Sequence, residues 1–524
     1  MNKKEQPQEE LKGIEINDAF RQSFDLLERS GKYVFITGRA GTGKSTFLDW
    51  FRRRTRLKTA VLAPTGVAAL NVRGETIHSF FGFRPDITPL AARELRSYRG
   101  DLYRTVDLIV IDEISMVRAD LLDCVDAFLR VHGRTPKQPF GGVRMAFVGD
   151  LYQLPPVSRE SESDIFGRIY EGPFFFNARV FSQDFPLVFL EMEKVYRHRD
   201  PLFLEILNRI RNNTVTERDL QILNTRVADR NNRIPDFSIC LTGTNAAAAA
   251  INEARLAELD GRPEHFAAVV NGTFEKKEFP ADEKLVLKKD AQVMLSANDS
   301  SGRWVNGSVG RIAAIHRRGK TKAPLLHVAF ADGRTEDVEP FTWELFRYRT
   351  DEKGHLCSDT IGRFTQYPLK LAWAVTVHKG QGKTFESVFI DLRHAFAPGQ
   401  TYVALSRCPT LQGITLGSPI RHHHIFTDRR IVEFLTRYQY ALSEERMPLE
   451  EKAALITGAI VNKQTVAIVY LKKNDEKSRR VVTPYRVGML EHEGVPFLGM
   501  EGFCALRKEE RVFRLDRILE LKIA

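Results

Sequence analysis

The segment Gly38-x-x-x-x-Gly43-Lys44-Ser45 has the residue types and spacing of a loop that binds phosphate groups. Glycines let the backbone wrap closely around phosphates, with N–H groups pointing inward at the start of a helix. Lys44 is placed to reach the β- and γ-phosphates of a nucleoside triphosphate, and Ser45 to ligate Mg²⁺. The expected nucleotide contacts here are Gly38, Ala40, Gly41, Thr42, Gly43, Lys44, Ser45 and Thr46.

Two adjacent carboxylates, Asp112 and Glu113, follow the apolar run Leu108–Ile111. Side chains alternate along a strand, but the chain turns at its end, so both carboxylates can face the nucleotide. We expect Asp112 to hold Mg²⁺ through water, and Glu113 to orient or deprotonate the attacking water. An Asp-Glu pair is also typical of a capping turn, and its position after a phosphate loop favours the catalytic role.

A third apolar run, Met145–Val148, leads into a polar segment that contains Gln153. Together with the β-prone run at 33–36, the apolar runs predict an α/β fold around a parallel sheet. The carboxyl ends of parallel strands meet at one edge, so Gln153 is expected to sense the γ-phosphate. A proline-ended loop without a catalytic role is the alternative interpretation.

The composition is that of a globular protein with room for three or four domains. Of its 524 residues, 43% are hydrophobic and 28% charged, and the net charge is +11. A basic balance favours nucleic acid as a partner without requiring it. The five widely spaced cysteines predict reduced thiols and no zinc site. No signal peptide and no apolar run of about 18 residues is evident, so we expect a cytoplasmic protein without a membrane partner.

The three chemical segments, in this order, resemble superfamily-one helicases, and more narrowly the petite-integration-frequency (Pif) family and its RecD-like relatives. The resemblance covers residues 15–430. It includes the segments Ala63–Val72, Thr76–Phe80, Val195–Arg197, Leu241–Asn245, Ala372–Thr384 and Tyr402–Cys408. It implies two tandem RecA-like domains that hydrolyse ATP with Mg²⁺ and move 5′-to-3′ on single-stranded DNA.

The resemblance makes Arg197 and Arg407 the two arginine fingers of the ATPase. A guanidinium brought to the γ-phosphate from the second motor domain neutralises transition-state charge only when the cleft is closed. The resemblance also places Gln381 and Gly382 at this cleft. Either arginine, taken alone, would be interpreted as an ordinary surface ion pair.

Two positions depart from the family pattern. The family commonly has Ser where Gly380 stands, and Gln where His198 follows Arg197. Neither change removes a charged catalytic group, so we expect an altered rate or coupling rather than lost activity. The residue that contacts adenine is expected to be Asn17 or Gln22, and both assignments remain open.

A translocating motor should hold the sugar-phosphate backbone with small polar side chains and backbone N–H groups, so that any base sequence can pass. The candidates are Thr65, Gly66 and Asn71 in the first motor domain, and Thr244, Asn245, Thr376, His378 and Lys379 in the second. His78 and Phe80 are candidates for stacking on bases or blocking them. A core position is the alternative for both aromatic side chains.

The resemblance also predicts domain boundaries. The first RecA-like domain is expected at 1–190, with a wedge insertion at 82–105, and the second at 191–303 and 372–440. An SH3-like barrel is expected at 304–371, where runs 311–316 and 325–330 are strand-like and a turn at 331–334 precedes another short strand. Its candidate phosphate contacts are Arg317, Arg318, Lys320 and Lys322, with a solvated hairpin tip as the alternative.

Residues 431–444 are predicted to be helical, residues 441–450 to form a linker, and residues 451–524 to form a β-rich module that resembles a WYL domain. Tyr470, Pro484 and the run at 513–517 carry that match, although the signature tryptophan is not evident. A nucleic-acid-binding accessory is favoured, and a docking or regulatory module with ion-paired arginines is the alternative. The candidate contacts are Arg486, Arg511, Arg514 and Arg517.

The predicted function is an ATP-dependent 5′-to-3′ DNA helicase that unwinds 5′-tailed duplexes and acts as a monomer associated with the bacterial nucleoid. Forks, G-quadruplexes and RNA–DNA hybrids are further expected substrates. A nucleotide-dependent switch or scaffold is one alternative, disfavoured because it needs no set such as Glu113, Arg197 and Arg407. A single-strand translocase that strips proteins or remodels hybrids is the closer alternative. The run His422–His424 is expected to be an exposed loop.

Overall fold

The structure is a computed structural model. It describes residues 16–97, 99–156, 169–181, 185–228, 236–274, 276, 279–299, 301–319, 323–350, 356–391, 397–492 and 494–524, without the side chains of 348, 350, 356–358, 378 and 379. The chain divides into a larger unit, residues 1–205 and 220–424, and a smaller unit, residues 206–219 and 425–524. No helix in the described ranges is both long and apolar enough to cross a membrane.

The first part of the larger unit is built on a six-stranded sheet whose neighbouring strands are all parallel. Across the sheet the strands run in the order Glu75–Thr76, Thr59–Ala63, Leu108–Ile111, Arg144–Val148, Tyr33–Gly38 and Leu187–Met192. The apolar runs are strands because both faces of the sheet are covered, and all four residues of Leu108–Ile111 are buried. The three predicted chemical segments therefore follow three neighbouring strands at one edge.

Helices cover this sheet. They span Asp18–Arg29, Lys44–Arg54, Gly66–Asn71, Ile77–Phe81, Pro89–Glu94, Gly100–Thr105 and Ala119–His132, with short 3₁₀ segments at Ile114–Met116, Pro139–Gly142 and Phe175–Asn177. A threonine precedes several of them and accepts an N–H of the first turn, as Thr65 Oγ1 does from Ala68. Phe20, Phe47 and Phe51 pack the first two helices onto Val34 and Ile36, which holds the phosphate-loop strand in the core.

A second parallel sheet follows, with strands in the order Ala374–Thr376, Ile239–Thr242, Val388–Ile390 and Ile414–Leu416. Its helices are Asn245–Glu258, Val377–Gly380 and Gln400–Leu405, with 3₁₀ segments at Leu411–Gly413 and His422–His424. The helices Pro201–Arg211 and Glu217–Asn224 lie between the two sheets in the sequence. The predicted α/β class with two RecA-like sheets is confirmed.

Antiparallel β-structure interrupts the second sheet. A five-stranded sheet has the order Thr335–Val338, Leu325–Phe330, Val309–His316, Gln292–Leu295 and Leu369–Leu371. A three-stranded sheet has the order Phe341–Thr350, Leu356–Gln366 and Val269–Gly272, and Lys284–Leu287 pairs with Glu264–Ala267. The predicted strands at 311–316 and 325–330 are confirmed. The expected boundary at 304 falls inside the five-stranded sheet, because Gln292–Leu295 is hydrogen-bonded to Val309–His316.

The smaller unit contains the helices Arg429–Arg446 and Leu449–Val461 and a five-stranded antiparallel sheet. The strand order is Glu509–Arg514, Val495–Cys504, Lys477–His492, Val466–Leu471 and Ile518–Ile523, with a 3₁₀ segment at Leu515–Arg517. The linker prediction at 441–450 is wrong. Only residues 447 and 448 separate the two helices, and Lys452 Nζ donates to Ser443 Oγ at 2.8 Å in the buried junction between them.

Candidate functional site

The phosphate loop has the backbone that its glycines allow. Gly41 and Gly43 adopt left-handed conformations, with φ of 82° and 85°, and the helix begins at Lys44. A Cβ at Gly38 would lie 2.6 Å from the carbonyl oxygen of Met192, so only glycine fits beside that strand. Lys44 Nζ donates to the carbonyl oxygens of Gly38, at 2.6 Å, and Arg39, at 3.1 Å. The ammonium group of Lys44 is therefore bound by the backbone of the phosphate loop itself.

The remaining residues of the loop present donors at the start of that helix. The first N–H groups of a helix have no intrahelical acceptor, so those of Lys44, Ser45 and Thr46 are oriented toward an anion. Ser45 is exposed, whereas Thr42 is buried and its hydroxyl donates to the carbonyl oxygen of Arg39 at 3.0 Å. The N–H of Ala40 donates to the hydroxyl of Tyr402, at 3.0 Å. The arrangement suits a bound phosphate chain.

The two carboxylates lie at the end of the strand Leu108–Ile111. Glu113 adopts a left-handed conformation, with φ of 52° and ψ of 42°, which is uncommon for a residue with a side chain. This local turn is what frees neighbouring carboxylates from the alternation of a strand. Burial, and then the charge of Glu113, raise the pKa of Asp112 to about 7. Burial also raises the pKa of Glu113, against the opposing charges of Lys44 and Arg407.

Gln381 connects Glu113 with the predicted sensor Gln153. Its Nε2 donates to Glu113 Oε2 at 3.1 Å and to Gln153 Oε1 at 3.1 Å, and an amide nitrogen carries one hydrogen for each bond. Gln153 Nε2 donates in turn to Asp150 Oδ2, at 3.3 Å. The structure therefore brings together three residues that the sequence analysis selected separately. Asp150 is a further member that it did not select, although it lies in the same segment as Gln153.

Arg197 and Arg407 meet beside this network. Arg197 donates to the carbonyl oxygens of Gly382, at 3.1 Å, and Ser406, at 3.5 Å. Arg407 is 1% exposed, and its Nε donates to the carbonyl oxygen of Val403 at 2.9 Å. Burial, and then the positive charge of Arg197, lower the pKa of Arg407 to about 9. The interpretation as a surface ion pair is therefore wrong for Arg407, whereas Arg197 is partly exposed and its described partners are carbonyl oxygens.

His198 lies close enough to both arginines to be affected by their charges. Both of its ring nitrogens are buried, and its ring packs edge-on to Phe203, with centroids 6.0 Å apart. Burial lowers the pKa of His198 to about 4, with further contributions from the charges of Arg197 and Arg407. A neutral imidazole is therefore favoured at this position.

The two candidates for contacting adenine have different surroundings. Asn17 caps the first helix by accepting the N–H of Phe20, and its Nδ2 donates to the hydroxyl of Tyr196 at 2.9 Å. The ring of Tyr196 would lie 3.8 Å from a Cβ at Gly43 of the phosphate loop. Gln22 is exposed on the same helix. The structure brings Asn17, but not Gln22, into a described contact with a residue beside the loop.

Matching helix starts carry two of the predicted DNA-contact pairs. Thr65 caps the helix Gly66–Asn71, and Thr244 caps the helix Asn245–Glu258. Each helix follows a strand of its own parallel sheet, so both threonines stand at a strand-to-helix turn of a RecA-like domain. The threonine side chains are thus occupied by the first turn, and the adjacent N–H groups are the better candidates for phosphate contacts.

Two predicted DNA contacts are corrected by burial. Phe80 is fully buried, packs edge-on to Tyr103 with centroids 5.6 Å apart, and belongs to the core rather than to a stacking surface. Thr376 is 3% exposed at the end of an edge strand of the second sheet, so its hydroxyl does not reach the surface. His78 is partly exposed, and Asn71 accepts from Asn306 at 3.4 Å. The side chains of His378 and Lys379 lie outside the described residues.

Several predicted basic contacts are ion-paired. Arg317 pairs with Glu264 and Arg318 with Glu339 in the β-region, while Lys320 and Lys322 lie outside the described residues. In the C-terminal sheet the pairs are Arg486–Glu501, Arg511–Glu509 and Arg514–Asp516. Exposed pairs of this kind contribute about 0–1 kcal/mol each and still leave a basic group accessible to a competing phosphate.

The donor set suits a magnesium ion that also binds phosphates. No cluster of three or more His, Cys, Asp or Glu side chains suited to a metal occurs among the described residues. A hydroxyl and one carboxylate, here Ser45 and Asp112, are the few protein ligands that Mg²⁺ takes when phosphate oxygens and water supply the others.

Comparison with known protein families gives two matches. Residues 15–217 match the model described as PIF1-like helicase, and residues 451–523 match the WYL domain. Among curated proteins, the chain is 34% identical over 439 residues to the ATP-dependent DNA helicase Pif1 of Bdellovibrio bacteriovorus, covering 81% of this chain and 93% of that protein. It is also 34% identical over 394 residues to human ATP-dependent DNA helicase PIF1, covering 73% of this chain and 58% of the human protein.

Solved structures of Bacteroides Pif1 have the same fold. The structure in complex with ADP-AlF4 has a TM-score of 0.75 and 35% identity, covering 81% of this chain and 97% of that chain. The structure bound to single-stranded DNA has a TM-score of 0.57 and 36% identity, covering 80% of this chain and 96% of that one.

Proposed function

The chain belongs to the PIF1-like helicase family of ATP-dependent DNA helicases, and we propose that it moves 5′-to-3′ along single-stranded DNA and unwinds 5′-tailed duplexes. The observation that carries the proposal is the meeting of Glu113, Gln153, Gln381 and the two arginines at one cleft. A protein that only binds nucleotide has no need of a positioned carboxylate together with two guanidinium groups at the same cleft.

We propose that the cleft residues divide the work of phosphoryl transfer. Lys44 and the loop N–H groups hold the β- and γ-phosphates, while Ser45 and Asp112 hold Mg²⁺, which neutralises phosphate charge when bound. Glu113 orients the attacking water and accepts its proton. Gln153 and Gln381 bridge the two RecA-like domains at the γ-phosphate. Arg197 and Arg407 neutralise the charge that develops on the transferred group. Because both arginines depend on the second domain, hydrolysis requires a closed cleft.

DNA is proposed to cross both RecA-like domains at the helix starts after Thr65 and Thr244. The segment 82–105 is the proposed wedge, and Arg99 anchors it through an ion pair with buried Glu75 at 3.6 Å. The β-region is the proposed SH3-like barrel above the DNA path. Backbone donors at helix starts hold phosphates without reading bases, as translocation along any sequence requires.

We further propose that forks, G-quadruplexes and RNA–DNA hybrids are substrates, and that one chain suffices for activity in the cytoplasm at the nucleoid. The WYL domain is proposed as a nucleic-acid-binding accessory. Three of its four candidate arginines are ion-paired, and this observation equally supports the alternative, a docking module with ion-paired arginines. Binding of labelled single-stranded DNA by Arg486→Glu and by the wild-type chain separates the two, since only an accessory contact predicts weaker binding.

The direct test compares duplexes that carry a 5′ or a 3′ single-stranded tail, with ATP and Mg²⁺. We expect unwinding of the 5′-tailed duplex only, and its loss in Lys44→Ala. Lys137→Ala removes an exposed lysine of the same domain and is the matched control. Unwinding from the 3′ tail would overturn the polarity. DNA-stimulated hydrolysis without unwinding of either duplex would instead support a translocase that remodels bound proteins or hybrids.

A further inference from the structure

The hydroxyl of Tyr402 joins the second RecA-like domain to two parts of the first. It accepts the N–H of Ala40 in the phosphate loop at 3.0 Å and lies 3.4 Å from Asp150 Oδ2. Tyr402 is 4% exposed and Asp150 is fully buried, so water competes little for these bonds. Neither residue belongs to the set proposed above for phosphoryl transfer.

The chemistry of the hydroxyl allows both contacts at once. A tyrosine hydroxyl has one hydrogen and can accept at its oxygen, so accepting from Ala40 leaves its hydrogen for the Asp150 carboxylate. The same carboxylate accepts from the N–H of Tyr152, at 3.2 Å, and from Gln153 Nε2, at 3.3 Å. Tyr402 therefore helps to orient the carboxylate that orients the proposed γ-phosphate sensor.

Tyr402 and Arg407 lie on one short, continuous stretch of backbone. Tyr402 lies in the helix Gln400–Leu405, and Arg407 folds back so that its Nε donates to the carbonyl oxygen of Val403. The helix is preceded by Gly399, with φ of 74°, where a Cβ would lie 2.3 Å from the carbonyl oxygen of Tyr152. The start of the helix therefore contacts the backbone of the segment that carries Asp150 and Gln153.

From this arrangement we infer that Tyr402 is a positioning residue for ATP hydrolysis. Its hydroxyl seats the helix that precedes Arg407 on the phosphate loop and on Asp150, and so aligns Arg407 with Gln153 in the closed cleft. Tyr402 touches none of the reacting atoms itself. The inference rests on the proposed hydrolytic site and adds to it the contact that couples domain closure to the sensor.

Tyr402→Phe removes only the hydroxyl and is the first test. At saturating single-stranded DNA, we expect kcat for ATP hydrolysis to fall by roughly 10- to 100-fold, the range that follows from misplacing a catalytic group by about 1 Å. The KM for ATP should change less than about threefold, because the binding groups of the loop remain. Tyr33→Phe is the matched control. It also removes a tyrosine hydroxyl, which donates to the carbonyl oxygen of Pro139 at 2.9 Å away from the cleft.

A double-mutant cycle with Asp150→Asn tests whether the contact itself matters. If Tyr402 acts through Asp150, the double variant should lose no more kcat than the worse single variant. Losses that multiply, or a Tyr402→Phe variant with wild-type kcat, would overturn the inference. Should Tyr402→Phe not fold, Asp150→Asn alone must show the same fall in kcat at unchanged KM. Lys44→Ala separates failure of the Tyr402 inference from failure of the proposed hydrolytic site. ATP hydrolysis that survives this substitution would refute the proposed site itself.

Discussion

Replacing His198 with glutamine should remove an acid-sensitive weakness of the larger unit. Folding lowers the pKa of His198 from 6.5 to about 4, mainly through burial and then through the charges of Arg197 and Arg407. Because the pKa is depressed in the folded state, the resulting stability is present above pH 6.5 and is lost as the pH falls toward 4. Glutamine does not titrate, so this part of the pH dependence should disappear.

The two pKa values set the size of the effect. At pH 7.5 the imidazole is almost entirely neutral in both states, and His198 contributes almost nothing to the pH dependence. At pH 5 the unfolded chain binds this proton and the folded chain largely does not, which costs the wild type about 2 kcal/mol of unfolding free energy. The wild type should therefore lose about 2 kcal/mol more than His198→Gln between these two pH values.

Urea unfolding followed by tryptophan fluorescence measures this difference in unfolding free energy for the larger unit of the chain, which contains His198. All four tryptophans, Trp50, Trp304, Trp343 and Trp373, lie in the larger unit together with His198. His423→Gln removes an exposed histidine and is the control. Equal losses by the wild type and by His198→Gln between pH 7.5 and pH 5 would refute the reasoning, because they would mean that the cleft tolerates an imidazolium beside two arginines.

Three other substitutions test the packing around the site. Phe80→Ala should lower the unfolding free energy by about 3–5 kcal/mol while the folded protein keeps its affinity for single-stranded DNA, measured by fluorescence anisotropy; weaker binding at unchanged stability would restore the stacking role. Gly41→Ala places a Cβ 2.4 Å from the Cβ of Arg197, at a residue with a left-handed φ. The value of kcat/KM for ATP should therefore fall more than about tenfold, and a wild-type value would contradict the contact. In Gly380→Ala, the added Cβ makes ordinary 3.5 Å contacts with Leu241 and Phe385. The unfolding free energy measured in urea should therefore rise by about 0.5 kcal/mol, with ATP hydrolysis retained. A lower unfolding free energy would show that the site does not accommodate the methyl group.

The domain edges show where sequence patterns stop being informative. A polar segment between 441 and 450 resembles a linker, yet the structure continues one helix to Arg446 and begins the next at Leu449. The β-region was expected from residue 304, but its five-stranded sheet already includes Gln292–Leu295. Both errors have one cause. A strand or helix boundary depends on which distant segment supplies the hydrogen bonds and the covering apolar surface.

The sequence by itself determined the order of the phosphate loop, the carboxylate pair and the sensor segment, because each depends on a short run of residues. Apolar runs, glycines at left-handed positions and polar strand ends are local features, and together they predicted a parallel sheet with chemistry at one edge. Because the phosphate-loop motif is a short run of residues, it predicted the phosphate-binding role of Lys44 without knowledge of the residues that surround it in the fold.

Only the tertiary structure decided which side chains meet in the cleft. Ala40 and Tyr402 are 362 residues apart, and Gln381 and Glu113 are 268 apart, so no local pattern reports either bond. Packing likewise placed Phe80 in the core and buried Arg407 to 1% exposure, although both residue types are common at nucleic-acid surfaces. Burial and long-range contacts are properties of the folded chain, since they arise when segments distant in sequence exclude water from one another.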